Sequence, residues 1–340
     1  MPKKARMPSR VATDTRSPRS TRRGFLIGAT TAAAGVVAAR AAAEPSAGLL
    51  PTVDLGASRV TRLVAGGNPL YGYSHFNEQY SQHMLEWFTD ERVVQFLLDC
   101  EKAGINTFQS SYHERVPRQF PKAREAGSRI QWICLAAPWD VFPDAPRSPE
   151  AISDGMLKCA EIVAKLRPVG IAHHGWATDL LWRAGKLDQI RTFVDKVHDL
   201  GIPAGISTHN PVILEALEAK GWPNEFYMAS FHYLSRRPEE YRRELGATPV
   251  GETYLSEDPA RMCRVVRQVR KPCLVYKLLA AGRQCGSPAE LRQAFEFAYR
   301  NIKPTDAAIV GMYPRYSDQI GENARLVREI AGAGPPGAGS

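Results

Sequence analysis

Six of the eight histidines in this 340-residue chain fall at or just past the ends of short apolar runs: His75, His113, His173, His174, His209 and His232. Imidazole binds metal ions and shuttles protons near neutral pH, so this crowding suits a working site. The sharpest set is His174, His209 and His232, which follow three successive runs, with Asp140 one run earlier. If those runs are neighbouring strands about 4.8 Å apart, inward side chains from their ends can meet over one point. Histidines and a carboxylate so placed would hold Zn²⁺, Fe²⁺ or Mn²⁺ with one position open for water or substrate. Lys277 ends another apolar run, Leu274-Val275-Tyr276, where an amine can anchor a carboxylate or phosphate, protonate an oxyanion or form an imine. Asn68, His75, Gln109, His113, His173, Trp176 and Tyr233 stand near other run ends as candidate substrate contacts. Tyr112 joins His174, Lys277 and Asp140 as a candidate acid or base.

The elements that must position these groups are eight apolar, β-branched runs: 60–65, 105–108, 130–136, 169–172, 204–207, 226–231, 273–276 and 307–310. Between them lies helical spacing, as in Val93, Phe96, Leu97, Cys100 and again in Ile190, Phe193, Val194, Val197. Met262, Val265, Val266, Val269 and Leu291, Ala294, Phe295, Ala298 repeat it. Eight strands alternating with eight helices predict one α/β domain, a (β/α)₈ TIM barrel over 44–331, whose C-terminal face carries the chemistry. A doubly wound sheet would show a phosphate-binding glycine turn after its first strand, and Gly66-Gly67-Asn68-Pro69 is not GxGxxG. The stretches 66–90 and 232–257 exceed ordinary loops and leave the functional face, where lids are built. The glycine- and proline-rich 332–340 reads as a disordered tail.

The formal charge of +9 looks at first like that of a nucleic-acid binder. Nine of the 44 Lys and Arg and one of the 35 Asp and Glu lie in 1–43, which leaves 35 against 34 in the rest. A nearly neutral body lacks the electrostatic footprint of a nucleic-acid or anionic-membrane protein. The basic segment is an address. Arg22-Arg23-Gly24-Phe25-Leu26, a weakly apolar run to Ala39 and small-residue cleavage candidates near 39–43 resemble a twin-arginine signal peptide. The apolar run is shorter than the roughly 20 residues that a membrane span needs. The expectation is a barrel folded in the cytoplasm, handed to the twin-arginine export machinery, and periplasmic or otherwise exported without a membrane anchor. Six cysteines without CxxC spacing fit buried thiols in a chain folded under reducing conditions.

Over about 58–330 the order of the pieces resembles the aldo-keto reductase superfamily. The echoes are Gly104-Ile105-Asn106-Thr107-Phe108, His174 ending the fourth strand, Gly185-Lys186-Leu187, and Gly205-Ile206-Ser207-Thr208-His209-Asn210-Pro211. Ile309-Val310-Gly311 followed by Gln319, Glu322 and Asn323 is similar to the family's cofactor end. There the resemblance implies a Glu-Asn pair near the adenine of NADP, with Arg315 in the loop that holds the adenosine phosphate. The catalytic tetrad departs from the pattern: Gln109 stands for its aspartate, Tyr112 comes early for its tyrosine, 133–137 offers no lysine, and His174 alone matches. Without the aspartate and lysine the usual tyrosine donor is ineffective. The first expectation is therefore metal-assisted isomerase, lyase or hydrolase chemistry on a small, carbohydrate-like substrate. The alternatives are an NAD(P)-dependent oxidoreductase with an altered tetrad and a non-catalytic binding protein on the same scaffold.

Overall fold

A computed structural model describes residues 48–142, 144 and 147–332; the segment 1–43, expected to be an export signal, and the residues from 333 onward lie outside the described residues. The eight expected strands form a closed parallel barrel: β3 (Leu63–Gly66), β4 (Thr107–Ser111), β5 (Gln131–Ala136), β6 (Gly170–His173), β7 (Ala204–Thr208), β8 (Phe226–Ser230), β9 (Cys273–Tyr276) and β10 (Ala307–Gly311). Closure is made by β10 on β3, with Ala308 opposite Leu63 and Gly311 opposite Gly66.

The run at 60–65, expected as one strand, is two. Its first half belongs to an antiparallel hairpin of β1 (Thr52–Leu55) and β2 (Ser58–Thr61). Val53, Leu55 and Val60 of that hairpin pack with Val64, Ile133, Phe226, Met228, Leu274 and Ile309, filling the barrel interior. Only Arg62, a single bend residue, separates β2 from β3, so their apolar patterns nearly abut. Phe226 has room because Gly205 lacks a side chain: a Cβ there would overlap the ring. The opposite faces of the strands join the second, larger core beneath the helices, into which Val93, Phe96, Leu97 and Cys100 of α2 (Asp90–Lys102) and Ile190, Phe193, Val194 and Val197 of α7 (Leu187–Asp199) are buried. No disulfide joins the cysteines. Among the described residues no helix is long and apolar enough to cross a membrane.

The two long stretches on the functional face are not bare loops. The first carries helix α1 (Glu78–Trp87) and the second helix α9 (Pro238–Leu245). The second is anchored by a buried ion pair: Arg236 donates from Nη1 to Asp258 Oδ2 at 2.8 Å and from Nη2 to Oδ1 at 2.5 Å. Its guanidinium also meets Glu244 at 3.0 Å and lies 4.6 Å from the centre of the Tyr233 ring. Arg236 therefore fastens the insertion to helix α10 (Asp258–Gln268). Removing one member of a buried pair strands the other charge, at a cost of about 3–5 kcal/mol. Arg236→Met and Asp258→Asn should each lose that much in urea unfolding, and Arg236→Met with Asp258→Leu should recover part of it.

Candidate active site at the barrel mouth

Lys277 follows β9 with φ +64°, a left-handed conformation uncommon outside glycine. His75, Ala280 and Ala281 share this feature, so four such residues lie in two segments beside the barrel mouth. Strained backbone of this kind gathers at functional sites. The Lys277 amine is buried without a hydrogen-bond partner. Burial pulls its pKa down from 10.5 to about 8, with Glu252 opposing and Arg283 reinforcing the shift. It lines a cavity of about 280 Å³ together with Asn68, His75, Gln109 and Tyr276. The same cavity runs past Tyr313 to Gln319, Glu322 and Asn323 at the start of helix α12 (Gln319–Gly332).

The two insertions meet over this cavity. His75 Nδ1 lies 2.8 Å from Glu252 Oε1, and His75 Nε2 lies 3.0 Å from the Asn68 amide nitrogen. The carboxylate fixes the proton on Nδ1, so Nε2 accepts from Asn68. Burial raises the Glu252 carboxyl, but the hydrogen bond and charge of His75, the charge of Lys277 and the Tyr254 hydroxyl outweigh it and hold the pKa at about 2. Arg283 lies between the Phe76 and Tyr254 rings, 5.3 and 4.4 Å from their centres. The sequence does not single out Glu252, Arg283 or Tyr276; only Tyr276 has a signal, an aromatic residue directly before Lys277.

Beyond Tyr276 stand two of the expected histidines. His174 caps helix α6 (Gly175–Arg183), its Nδ1 accepting from the Trp176 N–H at 3.2 Å. Nδ1 is therefore bare and the proton sits on Nε2. The edge of Trp139 packs on this ring with centres 4.4 Å apart. Burial keeps His174 neutral, its pKa well below 6.5, and a proton on Lys277, His209, His173 or His75 would press it further in the same direction. His209 has the opposite tautomer. Its Nδ1 lies 3.2 Å from Asp179 Oδ2, which also accepts from the His209 N–H at 3.2 Å and the Ser235 hydroxyl at 2.5 Å. Thr208 donates to the other oxygen at 2.5 Å. Asp179, buried in α6, fixes the Nδ1 proton and leaves His209 Nε2 as a free base. The His209 and Tyr276 ring centres are 5.8 Å apart. Gly175 makes room for His209, since a Cβ there would come within 3.0 Å of its ring.

The other expected residues are placed as follows. His232 does not join His174 and His209: it turns beneath the second insertion, 5.0 Å from the Tyr254 ring centre. Asp140 lies in the short helix α4 (Pro138–Val141), its side chain outside what is described. Among the described residues no three His, Cys, Asp or Glu side chains converge as a metal-ligand set, so the expected three-histidine centre is not assembled. His173 faces outward, bonded to the Thr178 hydroxyl at 2.8 Å and edge-on to Phe193. His113 stacks on Tyr71 with ring centres 4.6 Å apart. Tyr112 packs against the outer core, and the cavity lining does not include it. Trp176 is exposed at the rim, edge-on to Trp139. Tyr233 donates to Glu240 at 2.8 Å and lines a separate cavity with His209. Arg315 lies outside the main cavity, bonded to His83 at 2.9 Å.

No sequence family matches the chain, and no curated protein does. Solved structures share its fold. A Pseudomonas aeruginosa protein provisionally classed as an aldo-keto reductase superposes with TM-score 0.50 at 16% identity, over 84% of this chain and 96% of its own. A 3-deoxy-D-arabino-heptulosonate 7-phosphate synthase from Thermotoga maritima gives 0.47 at 12%, over 83% and 91%. A β-1,4-mannanase gives 0.46 at 10%, over 81% and 99%. The chain is a TIM barrel distantly similar in structure to an aldo-keto reductase and to enzymes of several other kinds.

Proposed function

We propose that this protein is an enzyme that moves a proton on the carbon beside the carbonyl of a small, neutral, carbohydrate-like hydroxycarbonyl compound, as an isomerase or lyase does. One observation carries the reading: the buried, unpartnered amine of Lys277 lines the mouth cavity, within electrostatic reach of His174, a ring that feels His209 as well. The amine activates the carbonyl. His209 lines the separate cavity across the Tyr276 ring, within electrostatic reach of His174 and His75; with its Nδ1 occupied by Asp179, it offers Nε2 as the base for the α-proton. His174, protonated on Nε2, donates to the carbonyl oxygen as it takes up negative charge on attack or enolisation. Asn68 and Gln109 line the same cavity and offer amides to substrate hydroxyls. The N-terminal segment serves in this proposal as the export address.

A small panel of carbonyl compounds tests the reading. Dihydroxyacetone, glyceraldehyde and hydroxyacetone are incubated with the protein in D₂O and followed by proton NMR. The expected result is deuterium entering the α-position of at least one of them faster than with heat-inactivated protein. Absence of exchange across the panel would overturn the reading.

A second reading is favoured by Gln319, Glu322 and Asn323, which line the far end of the same cavity. These are the residues that would hold the adenine side of a nicotinamide dinucleotide, which would supply hydride transfer. Arg315, turned onto His83, does not complete that set. Calorimetry with NADP(H) on the same preparation separates the two readings: binding without exchange would favour the oxidoreductase.

A further inference from the structure

We infer that Lys277 is a covalent centre, its Nζ condensing with the carbonyl carbon of a short hydroxyaldehyde or hydroxyketone to form an imine. The inference rests on the reading of the mouth as a carbonyl site and deepens it.

The other partly buried lysines show what a structural role looks like in this barrel. Lys303 Nζ lies 2.9 Å from Asp306 and donates to the Val266 carbonyl at 2.6 Å. Lys271 donates to the Asn224 side chain at 3.0 Å. Lys277 Nζ is fully buried and has no such partner, and the residue lines the mouth cavity. An amine that neither reaches water nor pairs with a carboxylate is kept as a nucleophile more readily than as a charge. The fixed charges facing it are Glu252 and Arg283, and its own charge acts on His75, His174 and His232. With a pKa of about 8, roughly a quarter of Lys277 is neutral at pH 7.5, against about one in a thousand for an exposed lysine.

The condensation is balanced. The nitrogen lone pair forms the C–N bond, the carbonyl oxygen leaves as water with the two amine protons, and no oxidant or reductant is consumed. A proton taken up on the imine nitrogen makes it the electron sink into which the α C–H pair moves when His209 removes the proton. Glu252, ionised and facing the same amine, disfavours substrates with a carboxylate next to the carbonyl.

The trial uses the intact protein, dihydroxyacetone as probe and pyruvate as the anionic comparator, with sodium borohydride as trap, read by intact mass and peptide mapping. The expected outcome is one reduced dihydroxyacetone adduct on the Lys277 peptide, at least about tenfold above any other lysine, with pyruvate much weaker. Lys277→Arg, which keeps the positive charge, should lose that adduct. Mapping of the unaltered chain remains decisive even if the variant fails to fold. Adducts spread evenly over surface lysines overturn the proposal. No adduct with α-proton exchange intact overturns the imine but leaves the carbonyl reading standing, whereas loss of both removes the two together.

Discussion

Replacing His209 with glutamine should slow α-proton exchange by about 10²- to 10⁴-fold, the range for losing a positioned general base. The substitution is chosen so that the fold survives. A glutamine amide can donate to Asp179 as the ring Nδ1 does, and the backbone N–H of residue 209 still reaches the same carboxylate oxygen. What disappears is the unprotonated nitrogen on the far side of the ring. The loss should fall on kcat and leave KM nearly unchanged, because the base acts on the transition state and contributes little to ground-state binding. Asp179→Asn should act in the same direction by a smaller factor, about 10- to 100-fold, through misorientation of the ring. Unaltered exchange in His209→Gln would mean that the ring only satisfies Asp179.

The barrel was readable because its strands are apolar runs punctuated by polar ends, and because successive runs are separated by helical spacing. Local pattern and global fold agree along the barrel, apart from the run at 60–65 that splits between two sheets. The candidate site was readable only in part, for a geometric reason. Successive strand residues face opposite sides, so His173 and His174 could not both look inward. With Ala172 in the interior cluster, His173 must point to the helices, and it does. The same parity would place Lys277 outward, since Tyr276 reaches across to Ser207 and packs with the interior. The left-handed turn at Lys277 breaks that parity and puts it on the cavity instead. A φ value of this kind leaves no mark in residue type when the residue is not glycine. His232 fails for a similar reason, since the chain leaves the strand direction after Ser230 and carries the ring under the insertion. Glu252 was illegible because its partner His75 is 177 positions away and neither residue has a spacing that announces the other.

The buried histidines make the fold itself sensitive to mild acid. Burial holds His173 at a pKa of about 3 and His232 at about 4, the latter in spite of the nearby Asp258 carboxylate, which pushes upward. In the unfolded chain both return to about 6.5. Between that value and the folded ones the unfolded chain binds protons that the folded chain refuses. Stability is therefore fully present above about pH 6.5 and is lost as pH falls, by about 1.4 kcal/mol per pH unit for each histidine. From pH 6.5 to 4.5 the pair removes about 5 kcal/mol, comparable with the whole stability of many domains. His75, His113 and His174, also lowered by burial, add to the slope with the same sign. The carboxylates held at about 2, Asp90 and Glu252, lose their contribution only as pH falls from the ordinary carboxylate value of about 4 toward 2. The melting temperature should thus fall by roughly 10 °C or more between pH 7 and 4.5. His232→Phe, which keeps a ring against Tyr254, should flatten that slope by the share of one histidine. A melting temperature level down to pH 4.5 and collapsing only below it would assign acid sensitivity to the carboxylates and sink the histidine account.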